Sequence, residues 1–335
     1  MERSSRWWRR GAAEAPPDAA APPNPATWQR VQDLIALQGH AATLGLHPAG
    51  PARAQLAGSH QSRFRGRGMD YQESRPYQAG DDVRSMDWRV TARTTTPHVK
   101  LYQEERERPV ILFVHLHAGM FFGTRGMLKS ALAARVAALL AWAAVERGDR
   151  VGAMIADGTH CELPPRGGKQ GVLQLVRQLV AHTDPRLGLA ADANAVDLNA
   201  GLRRLCRVSL PGSQVLLVGD FHGIDDESGR LLHRLRQHCD VVALQVADPI
   251  ELAPPPPARY GVAVGDEHGV LDLRSSAARR AFEEHFAAHH RAVAAIMRRH
   301  AIGHARLRTD EDVVSALRGV LAAGPVRPDA GRLAA

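Results

Sequence analysis

Apolar positions recur along this chain in stripes and runs whose spacing predicts its elements. WQRVQDLIAL places Val31, Leu34, Ile35 and Leu37 on one helical face, the stripe of a docking helix. After Pro109 the pattern becomes regular. VILFVHL is an apolar run of strand length, Met127 to Arg147 reads as a helix, and DRVGAMIAD is a second strand entered through the turn signal Arg147-Gly148-Asp149. HCELPP predicts a short third strand, and Lys169 to His182 and Leu198 to Cys206 predict helices. SQVLLVGDF, Ser228 to His238 and DVVALQVAD then continue as strand, helix and strand. Strands alternating with helices at this spacing form βαβ units, so the expected class is α/β, with a doubly wound, mostly parallel sheet. Pro254 to Asp272 opens with four prolines and reads as a hairpin. Ser275 to His300 is a long helix with Phe282, Phe286, Val293 and Ile296 in its apolar face. GHARLRTDEDVVSALRGVL closes with a strand and a helix, Thr309 and Asp312 having the form of a capping box.

Where the periodicity stops, composition divides the chain. Residues 1–24, rich in Ala and Pro, predict a disordered lead, and residues 324–335 a loose tail. Residues 25–108 join the first helix to an irregular polar segment, and residues 109–323 form the α/β domain. The most apolar stretch, SALAARVAALLAWAAVE from Ser130, is broken by Arg135 and short for a membrane span, so a buried helix is expected there.

The chain has 335 residues, 44% hydrophobic and 23% charged, enough for a large globular core. Its net charge of +8 rests on 43 basic residues, all but Lys100, Lys129 and Lys169 being Arg. These are interleaved with acids and form no basic block, which argues against a nucleic-acid partner. Cys161, Cys206 and Cys239 lie far apart without C-x-x-C spacing; a disulfide framework or zinc ribbon is not expected, and a reducing compartment is. MERSSRWWRRGAAEAPP lacks the apolar core of a signal peptide, so a cytoplasmic location is the expectation.

The most specific text is RGRGMDYQESRPYQAGDDVRSMDWRVTAR, from Arg65 to Arg93. Its charges alternate in sign, Pro76 and Gly80 punctuate it, and Tyr77 and Trp88 supply apolar anchors. Asp81 and Asp82 could bind metal, yet flanking Arg84, Arg89 and Arg93 are better suited to fixing carboxylates than to leaving them open to a cation.

Gly66, Gly68, Tyr71, Arg75, Tyr77, Gly80 to Asp82, Arg84, Met86 to Trp88, Ala92 and Arg93 together resemble the signature of domain-of-unknown-function family 58, DUF58. The resemblance runs from about Arg63 to Leu321. It implies a von Willebrand factor A-like, Rossmann-like α/β domain, and partnership with a MoxR-type AAA+ ATPase, often alongside other A-domain proteins. In metal-binding A domains, Asp-x-Ser-x-Ser, a Thr and an Asp hold Mg²⁺ at the carboxyl ends of the central strands. Here those positions fall on His115, His117 and Gly119, near Val196 beside Asp197, and on Asp220. Only Asp220 keeps an oxygen ligand of that set, so the resemblance implies a degenerate metal-ion-dependent adhesion site (MIDAS) without Mg²⁺. An alternative takes His115, His117, Asp220 and His222 as ligands of zinc or iron, since two His and a carboxylate suit those metals. The plainer expectation is that the histidines plug the cavity.

No Ser-His-Asp or Cys-His order, phosphate-binding loop or H-E-x-x-H is present, and PRGGKQG at Pro165 to Gly171 reads as a turn. A non-enzymatic adaptor is therefore expected, with no cofactor. Its partner-binding candidates are Arg75, Tyr77, Asp81, Asp82, Arg84, Asp87, Trp88, Arg89 and Arg93, because Arg and aromatics dominate interface hot spots.

Overall fold

A computed structural model describes residues 8–10, 24–44, 69–78, 83, 86–104, 109–159, 161–190, 196–264 and 267–323. In chain order the elements are β1 (Trp8–Arg10), α1 (Val31–Ala36), α2 (Gln38–Ala41), β2 (Met69–Pro76), α3 (Trp88–Thr94), β3 (His98–Glu104), β4 (Pro109–His115), α4 (Lys129–Glu146), β5 (Arg150–Ala156), β6 (Cys161–Arg166), α5 (Gly168–His182) and α6 (Pro185–Ala190). They continue as α7 (Leu198–Val208), β7 (Gln214–Gly219), α8 (Asp226–Arg236), β8 (Asp240–Ala247), α9 (Pro249–Leu252), β9 (Arg259–Val264), β10 (Glu267–Asp272), α10 (Ser276–Arg299), β11 (Gly303–Arg308) and α11 (Val313–Ala323). The chain divides into two compact units, residues 53–107 and the remainder.

The larger unit is built on a six-stranded sheet in the order β11-β8-β7-β4-β5-β6, parallel except where β6 runs antiparallel to β5. This is the doubly wound α/β class. β4 explains why its sequence is an unbroken apolar run: Val110, Leu112 and Val114 enter the core shared with α1, α2, α4, α5 and α11, while Ile111 and Phe113 enter the core shared with α7, α8 and α10. A central parallel strand has no solvent face to mark with polar residues. At one edge, β6 carries Pro164 and Pro165.

α4 is apolar nearly all round because α1, α2, α5 and α11 pack on it from outside the sheet. Indole N–H groups fasten that outer layer: Trp142 Nε1 donates to Leu34 O at 3.1 Å and Trp28 Nε1 to Val180 O at 3.0 Å. Among the described residues no helix is long and apolar enough to cross a membrane. The buried outer layer also draws α1 and α2 into the larger unit, where the sequence grouped them with the polar segment that follows.

Two local readings change. Trp8–Arg10, inside the lead read as disordered, pairs antiparallel with β10 on the side away from β9. Thr309 does not cap α11: its hydroxyl is drawn to Asp248 Oδ2 at 2.8 Å, and Asp312 caps the helix by accepting from Ser315 N at 2.9 Å.

In the smaller unit β2 and β3 pair antiparallel, with a register shift between Tyr71 and Glu73. α3 follows a buried N-cap, Asp87, and ends at Thr95, which takes a left-handed conformation with φ 59°.

Candidate cation site

β4 and β7 are adjacent and parallel, and their carboxyl ends open into the crevice where open α/β sheets place their ligands. Beyond β4 the chain runs through Leu116 and His117 into a single 3-10 turn, Ala118–Met120; beyond β7 it reaches Asp220. Two glycines let the backbone close up here. A Cβ on Gly219 would sit 3.1 Å from His115 Cβ, and one on Gly119 would sit 2.8 Å from His117 Cε1.

Asp220 is the hub. Its Oδ1 accepts from His117 Nε2 at 2.8 Å and from the His222 backbone N–H at 3.0 Å, and its Oδ2 accepts from the Lys129 ammonium at 2.8 Å. Lys129, in the first turn of α4, donates again to Glu251 Oε1 at 2.7 Å. Glu251 Oε2 in turn accepts from Asp248 N at 3.1 Å, closing the capping box of α9. Asp248 is wholly buried and accepts from Thr124 N at 2.8 Å, the Thr124 hydroxyl, Ile250 N at 3.0 Å and the Thr309 hydroxyl. His289 Nε2 donates to Asp220 O at 2.9 Å.

The electrostatics follow from this wiring. Burial pushes the Asp220 carboxyl up, but Lys129 and the His117 hydrogen bond outweigh it and hold the group well below the usual carboxylate range. Burial likewise pulls the Lys129 ammonium down, and attraction to Asp220 and Glu251 reverses that and raises it. Burial lowers His115 to about 4, so its ring is neutral at pH 7; both of its nitrogens are buried without a hydrogen-bond partner. His222 is lowered as well, by burial and then by His117.

His115, His117 and Asp220 each offer one ligand atom within 4.8 Å of the others, the juxtaposition that the spacing of two His and a carboxylate anticipated. Their hydrogen bonds do not suit zinc or iron. Gly119 N–H donates to His117 Nδ1 at 3.1 Å, which fixes that nitrogen as the acceptor and leaves the proton on Nε2, directed at Asp220. A metal on Nε2 would require the reverse tautomer, with Nδ1–H facing another N–H, whereas ligating histidines donate that second proton to an acceptor. His222 stacks on His117 with ring centroids 5.0 Å apart.

Groups outside the Asp-x-Ser-x-Ser positions join the network around Asp220. Glu251 shares the Lys129 ammonium with Asp220, and behind it the Asp248 N–H holds Glu251 while the Asp248 carboxylate holds Thr124. The sequence held two signals for this. Lys129 is a rare lysine at the head of an apolar helix, and Asp248-Pro-Ile-Glu251 is an acidic capping box immediately after a strand. Asp197 caps α7 by accepting from Asn199 N at 2.8 Å.

The partner-binding candidates lie in the smaller unit and separate into groups. Trp88, Arg89 and Arg93 are exposed on α3, Trp88 at 66%, and Tyr77 is exposed at the end of β2. Arg75 is half-buried and donates to Pro76 O at 3.1 Å. Asp87 is buried and spent inside the unit, accepting from Arg89 N, Val90 N and, at 2.8 Å, Ser74 Oγ, so it holds α3 in place and offers no surface to a partner. Asp81, Asp82 and Arg84 lie outside the described residues.

A family profile described as "Protein of unknown function DUF58" matches residues 73–292, which include His115, His117, Lys129, Asp220 and Glu251. Uncharacterized proteins of Mycobacterium tuberculosis and Mycobacterium bovis are 34% identical over 284 residues, covering 80% of this chain and 86% of theirs.

Proposed function

Since the chain belongs to the DUF58 family of proteins of unknown function, we propose that it is a non-enzymatic adaptor that docks a MoxR-type AAA+ ATPase and acts with it in assembling or activating other proteins. The observation that carries this reading is Trp88, a large aromatic left 66% exposed at the start of a helix whose N-cap, Asp87, is buried and hydrogen-bonded. An indole held out on a fixed base, with Arg89 and Arg93 on the same short helix, has the composition of an interface hot spot. The saturated state of Asp220 supports the same reading, because a carboxylate already holding an ammonium and two N–H donors is not free to act as a base or an open metal ligand.

The test is binding of the full chain to a MoxR-type ATPase. Trp88→Ala is expected to weaken it by about 30-fold, a loss of about 2 kcal/mol, with the thermal midpoint unchanged. Unchanged affinity in Trp88→Ala and Arg89→Ala would reject this surface. A second reading, a metal-dependent enzyme using His115, His117, Asp220 and His222, draws on the orphaned ring of His115. It requires stoichiometric zinc or iron in the purified protein, lost in His117→Ala, together with turnover that Asp220→Ala abolishes.

A further inference from the structure

The six-stranded sheet ends in two unlike edge strands. β6 carries Pro164 and Pro165, whereas β11, GHARLR, has neither a proline nor a register break against β8. Just past the end of β11, Thr309 N donates to Ala247 O at 3.1 Å. Because a ladder alternates with a period of two, Leu307, Ala305 and Gly303 turn their backbone groups toward β8, and Arg308, Arg306 and His304 turn theirs away. The Arg308 C=O closes the following turn by accepting from Glu311 N at 3.4 Å. Among the described residues nothing bonds the N–H and C=O groups of His304 and Arg306 or the N–H of Arg308. These groups form a row at strand spacing, a template on which a further strand pairs.

The side chains specify which strand. Ala305 and Leu307 lie with α11 in the core on one face of the sheet, while His304 and Arg306 stand on the other face beside Gln245, which is bonded to α10 through His290. Arg306 is exposed, its Nε donates to Gln245 Oε1 at 3.3 Å, and no carboxylate among the described residues is bonded to its guanidinium. Partial burial draws the group down from its ordinary value, and the acid that opposes this, Glu251, already holds the Lys129 ammonium. Arg308, by contrast, is paired with Asp310 and Glu311. A guanidinium fork left without its acid suits a carboxylate on a neighbouring strand, and opposite charges directly across a ladder attract where like charges repel. A second β11 would bring arginines of its own and is disfavoured.

We infer that β11 is a docking edge for an extended segment of a partner protein, one whose alternate residues are acidic toward Arg306 and apolar toward α11. In this mode main-chain hydrogen bonds hold the segment and the alternation of its side chains selects it. The inference is independent of the adaptor reading, since β11 belongs to the larger unit and Trp88 to the smaller one.

The test titrates the full chain with two labelled synthetic peptides, one of alternating Val and Glu and one of alternating Val and Lys, and follows fluorescence anisotropy and amide hydrogen exchange. The Val/Glu peptide is expected to bind at least about tenfold more tightly than the Val/Lys peptide and to slow exchange in Gly303–Arg308. Arg306→Glu is expected to invert that preference. Arg308→Pro removes one outward N–H and is expected to weaken the Val/Glu peptide by about tenfold, while Arg308→Gln, which keeps the N–H, stays within about twofold. Should Arg308→Pro lose its fold, the slowed exchange in β11 decides the same point. The inference is overturned if the β11 amides exchange as fast with the Val/Glu peptide as without it, or if Arg306→Glu still prefers that peptide. Self-association of the unsubstituted chain that Arg308→Pro abolishes would also overturn it, because the edge would then belong to a second copy.

Discussion

Gly119 sets the limit on what the cation site tolerates. A Cβ there would meet His117 Cε1 at 2.8 Å and Nδ1 at 3.2 Å, and the ring cannot retreat without giving up Asp220 Oδ1. Gly119→Ala is expected to cost about 1–3 kcal/mol, read as a lower denaturation midpoint in urea. Asp87→Ala removes an N-cap and strands the Ser74 hydroxyl, so the α3 amides are expected to lose about 1–2 kcal/mol of protection in hydrogen exchange. What sequence could show at this scale was identity and spacing. His115, His117 and Asp220 were legible because they sit at strand ends where an α/β sheet gathers its ligands. Lys129 was not, because its meaning lies in partners 91 and 122 residues away, and periodicity marks only the face of a helix. Nor could spacing tell which nitrogen of His117 carries the proton, a fact decided by the Gly119 N–H.

Elements were more legible than contacts, since a strand buried on both faces and a helix covered on all sides leave strong apolar signatures in β4 and α4. Polar positions inside elements were harder to interpret. Gln245 of β8 is fully buried, and its Oε1 faces His304 Nε2 at 3.2 Å and Arg306 Nε at 3.3 Å on β11. A guanidinium can only donate, so this amide has its oxygen toward β11 and its NH₂ toward His290 Nδ1 of α10, at 3.1 Å. Burial and then Arg306 hold both His290 and His304 at about 4. The unfolded chain titrates these rings near 6.5, so between about pH 4 and 6.5 it binds protons that the native state refuses. Stability is therefore expected to be fully present above that window and to fall as pH drops through it. In His290→Gln the slope of unfolding free energy against pH should flatten by about one proton, about 1.4 kcal/mol per pH unit.

At the scale of the molecule, the larger unit is organised around α4, which joins the sheet to its outer helical layer. Leu140, 0% exposed on that helix, is expected to cost about 2–5 kcal/mol when cut to Ala, seen as a shift of the denaturation midpoint with the slope m unchanged. The two margins of the sheet differ in a way that bears on how copies of the protein can meet. On the β6 margin Pro164 and Pro165 have no N–H to lend, and a foreign strand laid against that margin would find gaps in the ladder it needs. β11 carries no proline. Runaway growth of the sheet from copy to copy requires two receptive margins, and here one of them is chemically mute, so strand-by-strand stacking would stop after a single addition.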